Sequence, residues 1–278
     1  MEAINNTVFE KKKRYFFVGV LMLLCYYVYN YILLTQFCLN ASPALMFPSI
    51  DNGYWLVLAT GVFYFFANNL AAAISFDILF FLLPILILFL PYKRWLNILF
   101  LTVCFLYAIF INTIAAHHFH LFLAMPVLAF AFCFTGKRFE NIWRAIRYYT
   151  LFIFVSAALW KLFRGSIFEP NQMLNILHAQ HAQFLYEQPN AIHAKFIRWL
   201  ITHSTFSNLL IYFAALLQIL FVIGFFTSKI DTYLLAMLLS FVAVNYCVMQ
   251  IFPPEIFLFA LTLVPQSFWQ KGTMNSTL

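Results

Sequence analysis

Charge is what this sequence has least of. Only 9% of its 278 residues are Asp, Glu, Lys or Arg, where a soluble domain carries about 25%, so there is too little charge to wet a folded surface of this size. Glycine is sparse, at 7 residues, and no Gly/Ser/Pro linker, low-complexity tract or internal repeat divides the chain. It therefore reads as a single domain over 1–278. Four of the 5 cysteines (Cys25, Cys104, Cys133, Cys247) fall inside apolar runs and only Cys38 lies in a polar connection, which supports neither a disulfide framework nor a Cys-rich metal site. HExxH, CxxC, paired Glu-x-x-His, a phosphate loop, a nucleophile elbow and a dinucleotide fingerprint are also missing.

What is present is apolar. The chain is 64% hydrophobic and 21% aromatic, with 37 Phe, which predicts an all-α, polytopic membrane helix bundle. In such a chain the formal +7 charge reports orientation, because Lys and Arg sort to the cytoplasmic loops. Nucleic acid is not an expected partner; membrane lipid is.

Nine apolar runs are candidate helices: Tyr15–Leu34, Tyr54–Ala73, Phe76–Leu90, Trp95–Ala115, His118–Phe134, Arg147–Leu162, Leu209–Phe226, Thr232–Met249 and Glu255–Val264. A span takes about 20 residues, so Phe76–Leu90 and Glu255–Val264 are marginal. The apolar run behind Lys11-Lys12-Lys13-Arg14 is too long for a signal peptide and reads as a retained first helix. If all nine runs cross, Lys and Arg divide 8 against 8; if Tyr54–Ala73 lies in the interface, they divide 12 against 4. The second split is the one insertion favours. It predicts about eight spans plus one interfacial helix, with both termini cytoplasmic; the membrane expected is a bacterial inner membrane. All seven histidines then face outward, as do Asp77, Glu169, Glu187 and Lys161. The polar stretch 163–206 is expected to fold as amphipathic helices, a lid over the outer mouth.

Three groups of residues are candidates for chemistry. Lys161 sits near the outer end of its run beside Trp160; apolar surroundings penalise an ammonium, and a neutral amine is a usable general base, while the plainer reading is snorkelling beside an aromatic belt. His117, His118 and His120 open a run on the same side, with Asn112 a turn below, and serve either as an orienting imidazole site or as a polar helix start. His178 and His181 repeat the i, i+3 spacing, so His117, His120, His178 and His181 form an alternative metal set, against ordinary surface histidines. Asp77 is either an interfacial cap for the span beginning at Phe76 or a partner for Lys161 or Arg164.

The stretch Phe154-Val155-Ser156-Ala157-Ala158-Leu159-Trp160-Lys161-Leu162 resembles a segment of the vitamin K-dependent gamma-carboxylase family, in which an aromatic and small-residue helix ends in a Lys-Leu pair. Ala116-His117-His118-Phe119-His120-Leu121-Phe122 resembles that family's polar, histidine-bearing helix start. The likeness extends loosely from Lys12 to Pro265 and is to a short form of the horizontally transferred transmembrane domain superfamily, without the large lumenal region. It implies that Lys161 is the base that deprotonates reduced vitamin K or another quinol, with His118, or His117 in the neighbouring register, supporting the reaction. Trp160, His120, Asp77 and Arg164 would then line the substrate site. It also implies carboxylation of a glutamate in a peptide or protein partner; on the missing ligand motifs, no metal is expected. Two other readings stand beside it: a non-catalytic membrane scaffold or partner protein in which Lys161 is a counter-charge for Asp77 or Glu169, and a His-ligated metalloprotein.

Overall fold

The computed structural model describes residues 2–36, 59–91, 93–114 and 123–270. Every regular element among them is helical. Six of the described segments are long and apolar enough to cross a membrane, namely Thr7–Gln36, Leu70–Phe89, Arg94–Ile111, Gly136–Phe163, Ser204–Phe226 and Asp231–Met249. This is a multi-pass membrane protein. The described chain divides into two compact units, one built from residues up to Ile146 with Pro254–Thr262 and the residues from Gln266, the other from Arg147–Pro253 with Leu263–Pro265.

The first unit is organised along α1, Glu2–Tyr29. Tyr31, in the left-handed region at φ 58°, ends it and turns the chain, and the Gln36 side chain accepts from the Leu33 N–H at 3.0 Å to hold that turn. Then come α2, Val62–Asn68, and α3, Leu70–Phe89. Here the sequence expectation needs correcting. Tyr54–Ala73 is not one interfacial helix: residues 54–58 lie outside the described set, α2 stops at Asn68, and Asn69 caps the next helix by accepting from the Ala72 N–H at 3.1 Å. Leu70–Ala73 therefore form the first turn of α3, which does not begin at Phe76 and reaches 20 residues, about 30 Å. The Asn pair that breaks one helix starts the other.

Arg94–Ile114 forms α4, Ala124–Ala131 forms α5, and α6 (Gly136–Phe163) begins in this unit. After the second unit come α12, Ile256–Ala260, a 3-10 turn at Leu261–Leu263, and α13, Gln266–Gln270.

Contacts along α1 act as a depth scale. At its basic end Lys13 donates to the Pro91 carbonyl, Lys12 lies 3.4 Å from Glu140, Lys11 donates to the Phe268 carbonyl at 2.5 Å, and Phe16 stacks on Phe132 at 5.1 Å. At the far end the Tyr27 hydroxyl donates to Glu255 Oε1 at 2.7 Å, and Glu255 Oε2 accepts from the Ala124 N–H at 2.7 Å. Thus α5 and the following residues run from the level of Tyr27 to that of Phe16. The chain from Glu255 to Phe268 descends beside α1 from Tyr27 to Lys11, about 24 Å of helix. Gly19 permits this approach, since a Cβ there would stand 2.9 Å from Leu258 Cδ2. Beyond Tyr27, Asp77 is buried and accepts from Tyr107 at 2.7 Å and from the Thr35 N–H at 3.0 Å, while Tyr107 accepts from the Leu34 N–H at 2.8 Å. Asp77 holds the far end of the Thr7–Gln36 segment and does not cap its own helix.

The second unit takes α6 from Arg147 onward, then α7 (Gln172–Glu187), α8 (Ile192–Thr202), α9 (Ser204–Leu220), α10 (Ile223–Phe226) and α11 (Asp231–Met249). Phe154 stacks on Phe221 at 4.5 Å. The expected amphipathic segment 163–206 is two helices, α7 and α8, whose apolar faces meet α9 and α11 through Met173, Leu177, Ile197, Leu200, Ile211 and Val248. Their polar faces are left outward, as the alternation of buried and exposed positions along both helices requires.

Candidate functional site

The candidate base Lys161 lies in the second unit. It lies in the last turn of α6, where an ammonium complements the carbonyl end of the helix. Gly165, at φ 69°, supplies the left-handed residue that ends the helix, and the Ser166 hydroxyl donates to the Lys161 carbonyl at 3.1 Å. With its backbone fixed in this way, the half-buried Lys161 side chain donates to Gln218 Oε1 of α9 at 2.6 Å. Gln218 is 5% exposed and follows an apolar run from Leu209 to Leu217 in that helix. No carboxylate lies within ion-pair distance of Lys161 among the described residues.

The neighbours divide. Trp160 is 58% exposed and stacks under the Arg164 guanidinium at 4.4 Å, an arrangement suited to a membrane interface. Asp77 belongs to the first unit and is engaged by Tyr107 and Thr35, and Glu169 is exposed. The counter-charge expected for Lys161 is thus a neutral amide. His117, His118 and His120 lie outside the described residues, as does the side chain of Asn112.

His178 and His181 share a helix but not an environment. His178 is exposed, whereas His181 is 2% exposed with Nε2 at 2.8 Å from the Val248 carbonyl. The structure brings His181 instead to His193 of α8, with ring centroids 5.7 Å apart. Among the described residues no group of three or more His, Cys, Asp or Glu could hold a metal ion. His203 stacks on Trp199 at 4.9 Å, and Glu187 accepts from Gln183 at 2.7 Å, so both serve local structure.

His193 Nε2 is buried without a hydrogen-bond partner. Desolvation, and then the neighbouring His181, hold its imidazole below the ordinary value of 6.5. A base with a lowered folded pKa binds fewer protons folded than unfolded. Its contribution to docking α8 is therefore present above about pH 6.5 and is lost as pH falls through the lowered value. Amide exchange over 172–202 is expected to speed up at pH 5 relative to pH 7.5 after correction for intrinsic rates. His193→Phe, which keeps the ring against Phe184 and Phe196, is expected to remove that difference; equal pH dependence in the two proteins would refute the assignment.

One small cavity, about 60 Å³, lies between α7, α9 and α11, lined by Met173, Phe213, Leu217, Phe241 and Asn245 among others. A cavity that holds benzene measures about 150 Å³, so this one cannot enclose an aromatic ring.

Set against known proteins, the chain matches no family model, no curated protein and no solved structure.

Three buried polar residues of the protein carried a signal in the sequence. Gln218 interrupts an apolar run, Glu255 follows Pro253-Pro254 at the head of another, and Asp231 opens a third; intramembrane polar groups of this kind are rare and merit attention by default. Only their partners are invisible without the fold.

Proposed function

We propose that this protein is an eight-crossing inner-membrane protein, both termini cytoplasmic, whose second unit presents Lys161 and Gln218 to a lipophilic ring bearing hydroxyl or carbonyl oxygens. The crossing number rests on the two short segments that follow α1 through its depth, Ala124–Phe132 and Glu255–Phe268. The observation that carries the site is the Lys161 ammonium bonded to a neutral amide. A lysine in the last turn of a span, with no carboxylate to cancel it, is costly unless something else compensates its charge, and an acidic ring hydroxyl supplies that compensation. The likeness to vitamin K-dependent carboxylases points to a quinol as the ring and to quinol-dependent carboxylase or epoxidase chemistry, with Lys161 as base and His118 beside it. The donor set fits a quinol hydroxyl: Lys161 donates or accepts a proton and Gln218 offers both an acceptor and a donor.

The test is retention of menaquinol-4 by purified full-length protein, read by native mass spectrometry and lipid extraction. Wild type is expected to retain it, and Lys161→Ala to weaken retention about tenfold, the worth of one charge-assisted hydrogen bond. Gln218→Leu is expected to weaken it less. Equal retention by wild type and Lys161→Ala, both monodisperse, would sink the reading.

The direct Lys161–Gln218 bond between α6 and α9 also fits a second reading: a non-catalytic membrane scaffold that holds another protein, with the two residues as an interhelical strut. Loss of stability without any quinol retention would select it.

A further inference from the structure

We propose that the first unit contains a binding site for an anionic glycerophospholipid, in the groove between the basic end of α1 and the end of α3. The groove has a volume of about 630 Å³ and is lined by Glu10, Lys11, Lys13, Arg14, Tyr15 and Val18 of α1 with Ile87, Leu88 and Pro91. This is ten times the small cavity of the second unit and within the roughly 300–1,000 Å³ of small-molecule sites.

Its walls change character along α1. Glu10, Arg14 and Val18 follow the i, i+4, i+8 ridge, so one helix face passes from charged to apolar over about 12 Å. At the charged end three cations face one carboxylate. Lys13 is 3% exposed, and its ammonium is bonded to the Pro91 carbonyl, a neutral group. Lys11 is bonded to the Phe268 carbonyl and stands 4.4 Å over that ring. Arg14 is exposed and makes no hydrogen bond or ion pair among the described residues. Among the described lining residues Glu10 is the one acid, and it offsets one charge. The apolar end offers Val18, Ile87 and Leu88, with Tyr15 between the two regions.

A ligand that satisfies both ends carries a phosphate at one and hydrocarbon at the other. Guanidinium and ammonium groups bind a phosphodiester by charge-assisted hydrogen bonds, and basic pockets at the cytoplasmic ends of spans select anionic headgroups. A zwitterionic choline headgroup would bring a cation beside Arg14 and Lys11 and is disfavoured. Phosphatidylglycerol brings a net negative charge and acyl chains that lie along Val18 and Leu88. The site is independent of Lys161 and of what binds there.

The experiment is native mass spectrometry of the full-length protein titrated in detergent with phosphatidylglycerol, with phosphatidylcholine of the same chains, and with inorganic phosphate as competitor. Wild type is expected to retain phosphatidylglycerol about fivefold or more over phosphatidylcholine, and Arg14→Gln to reduce that retention about fivefold, the effect of one basic group near a headgroup. Lys229→Gln, an exposed cation elsewhere, is expected to leave it unchanged. Leu88→Trp, which fills the apolar half and leaves every charge in place, is expected to displace the lipid as well. Equal retention of the two lipids, an unaltered Arg14→Gln protein, or displacement by inorganic phosphate at equal concentration would each overturn the proposal, the last by reassigning the groove to a free anion.

Discussion

Arg147→Ala is expected to destabilise the protein by about 3–5 kcal/mol, read as a large drop in the thermal midpoint of the detergent-solubilised protein. Arg147 and Asp231 are 9% and 8% exposed, so neither falls back on solvent. The guanidinium donates from Nε to Asp231 Oδ2 at 2.8 Å and from Nη2 to Oδ1 at 2.5 Å, the two-pronged geometry that Lys cannot copy. Nη2 also donates to the carbonyls of Gly224, at 2.9 Å, and Thr227, at 3.2 Å, so one side chain holds α6, the 224–227 turn and the first residue of α11. Removing it strands a buried carboxylate and two carbonyls. The double variant Arg147→Leu with Asp231→Leu is expected to recover part of the loss, because the stranded charge is gone while the carbonyls still lack a donor. A double variant no more stable than Arg147→Ala would show that the carbonyl bonds, not the ion pair, carry the effect.

Glu255→Ala comes next, at about 2–5 kcal/mol. Its two oxygens accept from the fully buried Tyr27 hydroxyl and from the Ala124 N–H, and each buried donor deprived of its acceptor costs about 1–3 kcal/mol. Glu255→Gln retains one carbonyl oxygen and is expected to lose roughly half as much. The measurement that distinguishes this from a general loss of packing is Tyr27→Phe in combination: its effect should shrink toward zero on the Glu255→Ala background. Full additivity of the two changes would remove the hydrogen bond as the cause.

Helix class and most element positions were legible in the sequence because they depend on a local property, the long apolar runs; the break at Asn68-Asn69 was read through, since an amide pair inside an apolar run marks a cap only once the next helix is seen. The amphipathic pair at 163–206 was legible for the same reason, since period and polarity are local. Pairings were not. Lys12 and Lys13 read as loop charges reporting orientation, yet both are buried, Lys12 against Glu140, Phe139 and Trp143, partners that lie more than 120 residues away. Asp77 read as a local cap and instead serves Thr35 and Tyr107. For the site, Lys161 stood out as a charge in an apolar run, but its partner was sought among acids, because charge balance favours an acid; the fold supplies Gln218. The division into two units left no compositional mark, because its boundary falls inside α6 between Ile146 and Arg147, where helix continuity permits no linker.

The first unit is discontinuous in sequence: Tyr27 and the Ala124 N–H wait for an acceptor that is 228 and 131 residues further on. On the ribosome, α1 through α5 are synthesised and inserted well before residue 255 emerges. For that interval the Ala124 N–H is without its mature acceptor, and water or lipid carbonyls are the groups at hand to satisfy it. Its assembly is therefore governed by a late arrival, and a stalled or shortened translation product is expected to be recognised by quality-control proteases through its first half, far from where the chain was cut.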